Sequence, residues 1–391
     1  MRVLSIFALL VLVLILAQTV GAESVTRITL HHAGELAETD LGITTGEVSP
    51  DGLKVLVGGA NGYARLLSAE YADDRTTDIE LLTGRNSTVR DITWHPRGNT
   101  ALFVGDAGMA MRYDSYDHSI TYVNGTFSVL GHDLTAVAWR PAGDFAYVGA
   151  EDGNVWKFAE HTGFELLDNF GSSPISDIAC HRNYNVCFIA TLNDGLAVID
   201  GDHTLSWIGG SSSQTWIGVD CSNPVLNECL GFASGLLSNT IHINTISPKL
   251  SSIGQAMKLD LPEGEHVGVS RGWDQTALVY LAPLGVVRYD GLNDQAFTVL
   301  LPEDVTTFDA VIAGRSLAIV WENTEHQGFL ITEFGNVVSF SPAREEVEMG
   351  IMEILVFAAV AISVPGVILG LIYMNSPWLQ RRYNSLRSRK K

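Results

Sequence analysis

Short apolar runs alternate with polar turns through most of the chain, and the alternation repeats. Seven stretches share one grammar; they begin at Glu47, Asp91, Ala136, Asp177, Gly218, Gly268 and Leu317, 41 to 50 residues apart. Each opens with an apolar strand that ends at a polar turn, such as Ser49-Pro50-Asp51-Gly52, His95-Pro96-Arg97-Gly98 or Arg140-Pro141-Ala142-Gly143. A second strand, a glycine-containing hairpin and a third strand follow, the third ending in an aromatic and often Asp, as in Tyr113-Asp114 and Tyr289-Asp290. Pro sets φ and Gly supplies positive φ at these turns, and Asp-Gly suits a tight hairpin. Four antiparallel strands at a period of roughly 40–50 residues is the pattern of a propeller blade. The expected fold is all-β, a seven-bladed β-propeller over residues 23–343. Its last unit has three strands, and an orphan strand from Val25 to Leu30 is placed to supply the fourth and close the ring. A stack of separate β-sandwiches is the alternative.

Two apolar segments break this rhythm. Residues 1–22 read as a signal peptide: Arg2, an apolar run from Val3 to Ala17, then Val20-Gly21-Ala22 before a cleavage point at Glu23. The competing reading is an uncleaved anchor. Ile354 to Tyr373 carries no charge over 20 residues, which as a helix spans about 30 Å, the hydrocarbon thickness of a bilayer. Glu345, Glu346, Glu348 and Glu353 precede it, and the basic residues of 375–391 follow. The Lys/Arg bias places that tail inside. The expected order is a juxtamembrane linker at 344–353, one C-terminal transmembrane helix at 354–374 and a basic cytoplasmic tail at 375–391. That gives a single-pass cell-membrane protein with its N-terminal domain outside. Pro365-Gly366 is tolerated within such a span. The tail acts as a stop-transfer signal and can touch anionic head groups.

Charge sharpens the division. The net charge is −20, but residues 23–349 hold 17 basic and 43 acidic side chains, a net −26. Such a surface repels nucleic acid. No Asp-x-Asp/Asn calcium loop occurs, and no metal or cofactor is expected. Cys180 and Cys187 bracket the first hairpin of one unit, and Cys221 and Cys229 that of the next. Export permits oxidation and strand pairing brings each pair within bridging range, so Cys180–Cys187 and Cys221–Cys229 are the expected disulfides. A four-cysteine metal site is the rival, without the close spacing such sites use. Two glycosylation sequons stand at Asn86 and Asn124.

The third unit carries a more specific pattern. Gly131-His132 opens it, Asp152-Gly153 lies at its strand-connecting turn, and Phe158-Ala159 ends its third strand. In these residues the chain resembles the WD-repeat propellers, with Phe158 where that family has Trp and Ala159 where it has Asp. The other units lack Gly-His. The resemblance implies that His132 and Asp152 share the family's hydrogen-bond network, and that the domain is a binding platform.

Catalytic motifs are missing: no Walker loop, dinucleotide loop, H-E-x-x-H or nucleophile elbow appears. His31 and His32 are adjacent on a strand and point to opposite faces, poor geometry for one metal. Gly209 to Gln214 is a polar loop flanked by Trp207 and Trp216. It reads as a linker, or as a ligand-contact loop made by Trp207, Ser211, Ser212, Ser213 and Trp216. The expected function is non-enzymatic, a membrane-anchored cell-surface scaffold that binds a protein or extracellular ligand in the envelope. The alternatives are a polysaccharide hydrolase or lyase with acids around its channel, and an assembly factor for envelope complexes.

Overall fold

The computed structural model describes residues 27–343, apart from 72–73, 169–170, 260, 262–263, 273–274 and 294, together with 370 and 372–388. The expected signal peptide, the linker 344–353 and all but four residues of the expected span 354–374 lie outside the described residues. Among the described residues no helix is long and apolar enough to cross a membrane.

Residues 27–343 form seven four-stranded antiparallel sheets. We number them as blades one to seven by their innermost strands: Ile43–Val48, Val89–Trp94, Leu134–Trp139, Ile175–Cys180, Trp216–Asp220, Glu265–Arg271 and Leu317–Glu322. Each inner strand packs against the next, and that of blade seven against that of blade one, so the ring is closed. The closure uses an N-terminal strand that overlaps the expected one, Val25–Leu30, at Ile28–Leu30 and runs on to Glu35, while residues 25–26 lie outside the described residues. Ile28–Glu35 runs antiparallel to Asn336–Pro342, with Leu30 opposite Phe340. The N-terminal strand is thereby the outermost strand of blade seven and covers the edge that Asn336–Pro342 would otherwise expose.

The turns form where the sequence demands them. Gly52, Gly98 and Gly143 each adopt φ between 72° and 76°. Each donates its amide to the carbonyl three residues earlier at 2.8 Å. A side chain there would be strained in the left-handed region.

One feature of the ring was not legible in the pattern. Every inner strand carries a bulge near its start, at Thr44, Arg90, Thr135, Ser176, Ile217, Val267 and Ala318, one residue in for six strands and two residues in for blade six. A bulge re-aims the extra side chain. Thr135 donates to the Ile175 carbonyl at 2.7 Å and Ser176 to the Trp216 carbonyl at 2.8 Å, while Thr44 bonds the Val89 carbonyl. In each case a bulge hydroxyl reaches the first residue of the next inner strand.

The core lies between neighbouring sheets. Leu56 of blade one packs with Ile92, Phe103 and Met111 of blade two, and Ala138 and Tyr147 of blade three with Ile178 and Ile189 of blade four. Truncating a sealed aromatic such as Phe103 would cost about 3–5 kcal/mol.

Two long unit spacings have structural causes. Between blades six and seven the chain inserts short helices at Pro302–Phe308 and Ala310–Ala313. Pro302 starts the first with Glu303 and Asp304 in its opening turn, which suits the helix dipole. Asp309 caps the second through the Val311 amide at 2.8 Å. His32 stacks on Phe308 at 4.3 Å, and His31 bonds Ser341 at 3.1 Å. In blade five a long connection, 243–251, separates the last two strands. The tail, assigned no secondary structure from sequence, forms a helix at Pro377–Ser388.

Candidate functional site

A four-stranded antiparallel blade divides its loops between two faces of the ring. First-to-second and third-to-fourth turns lie on one face. Second-to-third turns and the crossovers to the next blade lie on the other. Both disulfides sit on the first of these, which we call the staple face.

Cys180 and Cys187 are direct cross-strand partners in blade four, with Cα atoms 4.0 Å apart, and are bonded. Cys221 and Cys229 are bonded in blade five at a Cα separation of 4.4 Å. No described cysteine is free. The two closed loops then lock into each other. His181 is sealed from solvent. Its Nδ1 accepts the amides of Asn183 and Tyr184 at 3.1 and 3.2 Å, so Nε2 carries the proton and donates to the Leu226 carbonyl at 2.9 Å. Burial holds the His181 imidazole below its usual pKa, against the pull of that carbonyl. Asn183 Nδ2 donates to the Pro224 carbonyl at 2.6 Å. From blade six, Arg271 donates to the Ser222 carbonyl at 2.6 Å.

The result is a rigid pair of loops with an apolar tip. Val225 is 72% exposed at the end of the Cys221–Cys229 loop, its amide held by Asn223 Oδ1 at 2.9 Å. On the same face Ile246 is 95% exposed, and Leu250 and Leu292 also face solvent. A small cleft beside the tip runs between Ser222, Leu226 and Gly291.

The five residues of the expected ligand-contact loop do not form one surface. Trp216 is fully buried and Ser211 is 1% exposed. Trp216 Nε1 donates to the Ser211 carbonyl at 2.8 Å. Ser211 Oγ accepts the Leu196 amide at 2.9 Å and bonds the Ile208 carbonyl at 2.7 Å. These two residues hold blade four to blade five, and burial removes them from any contact role. Ser212 and Ser213 are exposed. Trp207, half-buried, lines a separate cleft with Val155 and Ile175, between blades three and four.

The crossover face holds the other singled-out residues. His132 Nδ1 lies 2.7 Å from Asp152 Oδ2, with the imidazole edge-on to Trp156 at 5.0 Å. Burial opposes the charge on Asp152, but its bonds from His132 and Asn154 outweigh it and hold its pKa below the usual range. Asn86 and Asn124 are both exposed here, Asn124 donating to the Glu160 carbonyl at 3.2 Å.

Sequence reasoning did not single out the acids on the inner strands. Asp91 accepts the Ile92 amide at 2.8 Å and Thr45 Oγ1 at 3.2 Å through one oxygen, and the Val137 amide of the next blade at 2.7 Å through the other. Asp177 repeats this two blades on, accepting Ile178 at 2.7 Å and Val219 at 2.9 Å. Glu47 accepts the Trp94 amide. Burial pushes Asp91 and Asp177 up to about 7 and Glu47 to about 8, against the lowering effect of those amides. Perturbed acids often mark catalytic sites. Here the oxygens of Asp91 and Asp177 face backbone amides on either side of a blade junction, and the acids clip the ring. Blades six and seven are joined by Arg288 and Glu322, a buried ion pair. Among the described residues no group of three or more His, Cys, Asp or Glu could hold a metal ion.

The model for the WD domain, G-beta repeat, matches residues 124–157, which cover the first two strands of the third blade, the start of its third and the His132–Asp152 bond. The seven-bladed closed ring is also similar to the crystal structure of the Myceliophteria thermophila Cps50 (Swd1) β-propeller domain, with a TM-score of 0.61. That likeness covers 80% of this chain and 99% of the other. The chain is a seven-bladed β-propeller whose third blade resembles a WD repeat. The identity to that domain is 9%, so the likeness is one of fold. No curated protein matches the chain. In this propeller the match to the WD repeat sits in one blade, and the fold as such is a scaffold suited to protein binding.

Proposed function

We propose that this propeller is a membrane-anchored cell-surface scaffold of the envelope, held by the apolar segment 354–374, and that its partner is a protein docking on the staple face of blades four and five. The observation that carries this reading is the pair of disulfide-closed loops, interlocked through His181 and Asn183, that presents Val225 at its tip. Loops fixed before binding lose little freedom on association. Disulfides persist in oxidising compartments, which agrees with export by the segment 1–22. An apolar partner surface framed by basic groups would complement Val225 and Ile246 within a domain of net charge −26.

The polysaccharide-acting alternative needs a general acid and a base free to meet substrate. The carboxylates of Asp91 and Asp177 are engaged with amides of their own and neighbouring blades, which favours the scaffold. An envelope-complex assembly factor differs from it in the identity of the partner.

The test is photo-crosslinking in intact cells from positions 225 and 246, with position 127 of the crossover face as comparison, followed by mass spectrometry. A reproducible protein partner captured from 225 and 246 is expected. Val225→Asp combined with Ile246→Asp should reduce its recovery about tenfold or more, with stability changed by no more than about 0.5 kcal/mol per site. Capture from 127 alone would overturn the assigned face. Retention of glycan in place of a protein would overturn the scaffold.

A further inference from the structure

The tail helix Pro377–Ser388 follows directly on the apolar stretch that ends at Tyr373, and none of its residues is buried. Ser376 accepts the Leu379 amide at 3.5 Å and Pro377 opens the helix, a normal start. Gln380 Nε2 donates to the carbonyls of Tyr373 and Met374, both at 3.0 Å, and Tyr383 meets Tyr373 edge-on at 5.7 Å. The first turn is thereby tied to the preceding chain.

Leu379, Tyr383 and Leu386 fall at i, i+4 and i+7, so they share one face. Tyr383 and Leu386 on that face are exposed, as is Trp378 beside it. Arg382 and Arg387 flank the stripe, the Arg382 guanidinium lying 5.2 Å over the Trp378 ring. Asn384, Ser385 and Ser388 take the opposite side. From residue 375 to 391 there are six basic residues and no acidic one. A 12-residue helix with an uncovered apolar stripe is marginal in water. A stripe of this kind edged by arginines suits a layer of anionic head groups: the apolar face enters the acyl boundary, and the arginines reach phosphate.

We propose that Pro377–Ser388 lies in the plane of the inner leaflet, docked on anionic lipid through Leu379, Tyr383 and Leu386. This rests on the anchor reading, since a span ending at Tyr373 delivers the helix to the head-group level at high effective concentration.

The test uses the full-length chain in vesicles, carrying a fluorophore on a single introduced cysteine, Leu386→Cys or Asn384→Cys. In vesicles of three parts phosphatidylcholine to one part phosphatidylserine, iodide should quench the 386 probe about threefold less than the 384 probe. That contrast should collapse in pure phosphatidylcholine and in the Arg381→Gln, Arg382→Gln, Arg387→Gln chain. An alkaline wash reads the anchor separately. Equal quenching of both probes in the anionic vesicles, with the chain retained after the wash, overturns the docked helix and leaves the anchor standing. A chain removed by the wash but showing the contrast beforehand overturns the anchor and supports the helix. Contrast that ignores lipid charge points to protein packing on the helix and overturns the lipid assignment.

Discussion

Blade three and blades four and five hold their loops by different chemistry, on opposite faces of the ring. In blade three a part-exposed imidazole–carboxylate bond, His132 to Asp152, ties the crossover to the turn at 2.7 Å. In blades four and five two disulfides and a sealed imidazole, His181, tie the turns of the other face. The blade fold itself is the same in all three. The WD-type clamp is therefore a local device for one junction. The shared architecture rests on strand pattern, turns and the bulged inner strands.

The largest test of that difference is to remove the covalent staples. Replacing all four cysteines by serine should lower stability by about 2–3 kcal/mol for each loop, read as a lower urea midpoint. Amide exchange should accelerate first in 181–186 and 221–229. Early opening around 131–133 would mean that the clamp, and not the staples, is the weaker tie.

The inner-strand acids give an intermediate effect that sharpens the comparison by pH. Glu47, Asp91 and Asp177 have folded pKa values raised above their unfolded ones. The folded state then holds more protons than the unfolded state over that interval, and the contribution is fully present below about pH 4 and lost as pH rises through 7 and 8. His181 is shifted down, so its contribution is present above its ordinary value and is lost as pH falls. The urea midpoint should therefore decline from pH 5 to pH 8.5 through the acids. Asp177→Asn should be less stable at pH 5 by about 1–3 kcal/mol, having lost an acceptor for Val219, and should show a shallower decline. An unchanged slope would remove Asp177 from the pH response.

The smallest effect belongs to the clamp. Asp152→Ala should cost about 0.5–1 kcal/mol, as expected for a part-exposed pair. Faster exchange should stay within 131–133 and 151–154. A larger loss spreading to blades two and four would make the clamp a ring-wide element and erase the contrast.

Local physics made much of this chain legible without coordinates. Seven units, the Pro-x-Gly turns and the Cys180–Cys187 and Cys221–Cys229 pairings depend on residues a few positions apart, and the sequence carries that information directly. Closure by an N-terminal strand was also readable, because the last unit is one strand short, although the sequence put that strand at Val25–Leu30 and the fold pairs Ile28–Glu35. The amphipathic pattern of 377–388 was present too, but its arginines read first as a charge run. Other assignments needed the fold. Trp216 and Ser211 read from sequence as part of a linker or a contact loop, with a buried Trp the commoner fate, and the fold buries both at the junction of blades four and five. His181 finds Leu226 45 residues away, and Asp177 finds Val219 at a distance of 42. Such partners are set by which inner strands become neighbours. The spacing of apolar residues decides that each blade forms; the closing of the ring decides which polar groups lose water, and hence which acids become clips and which loops remain as a binding surface.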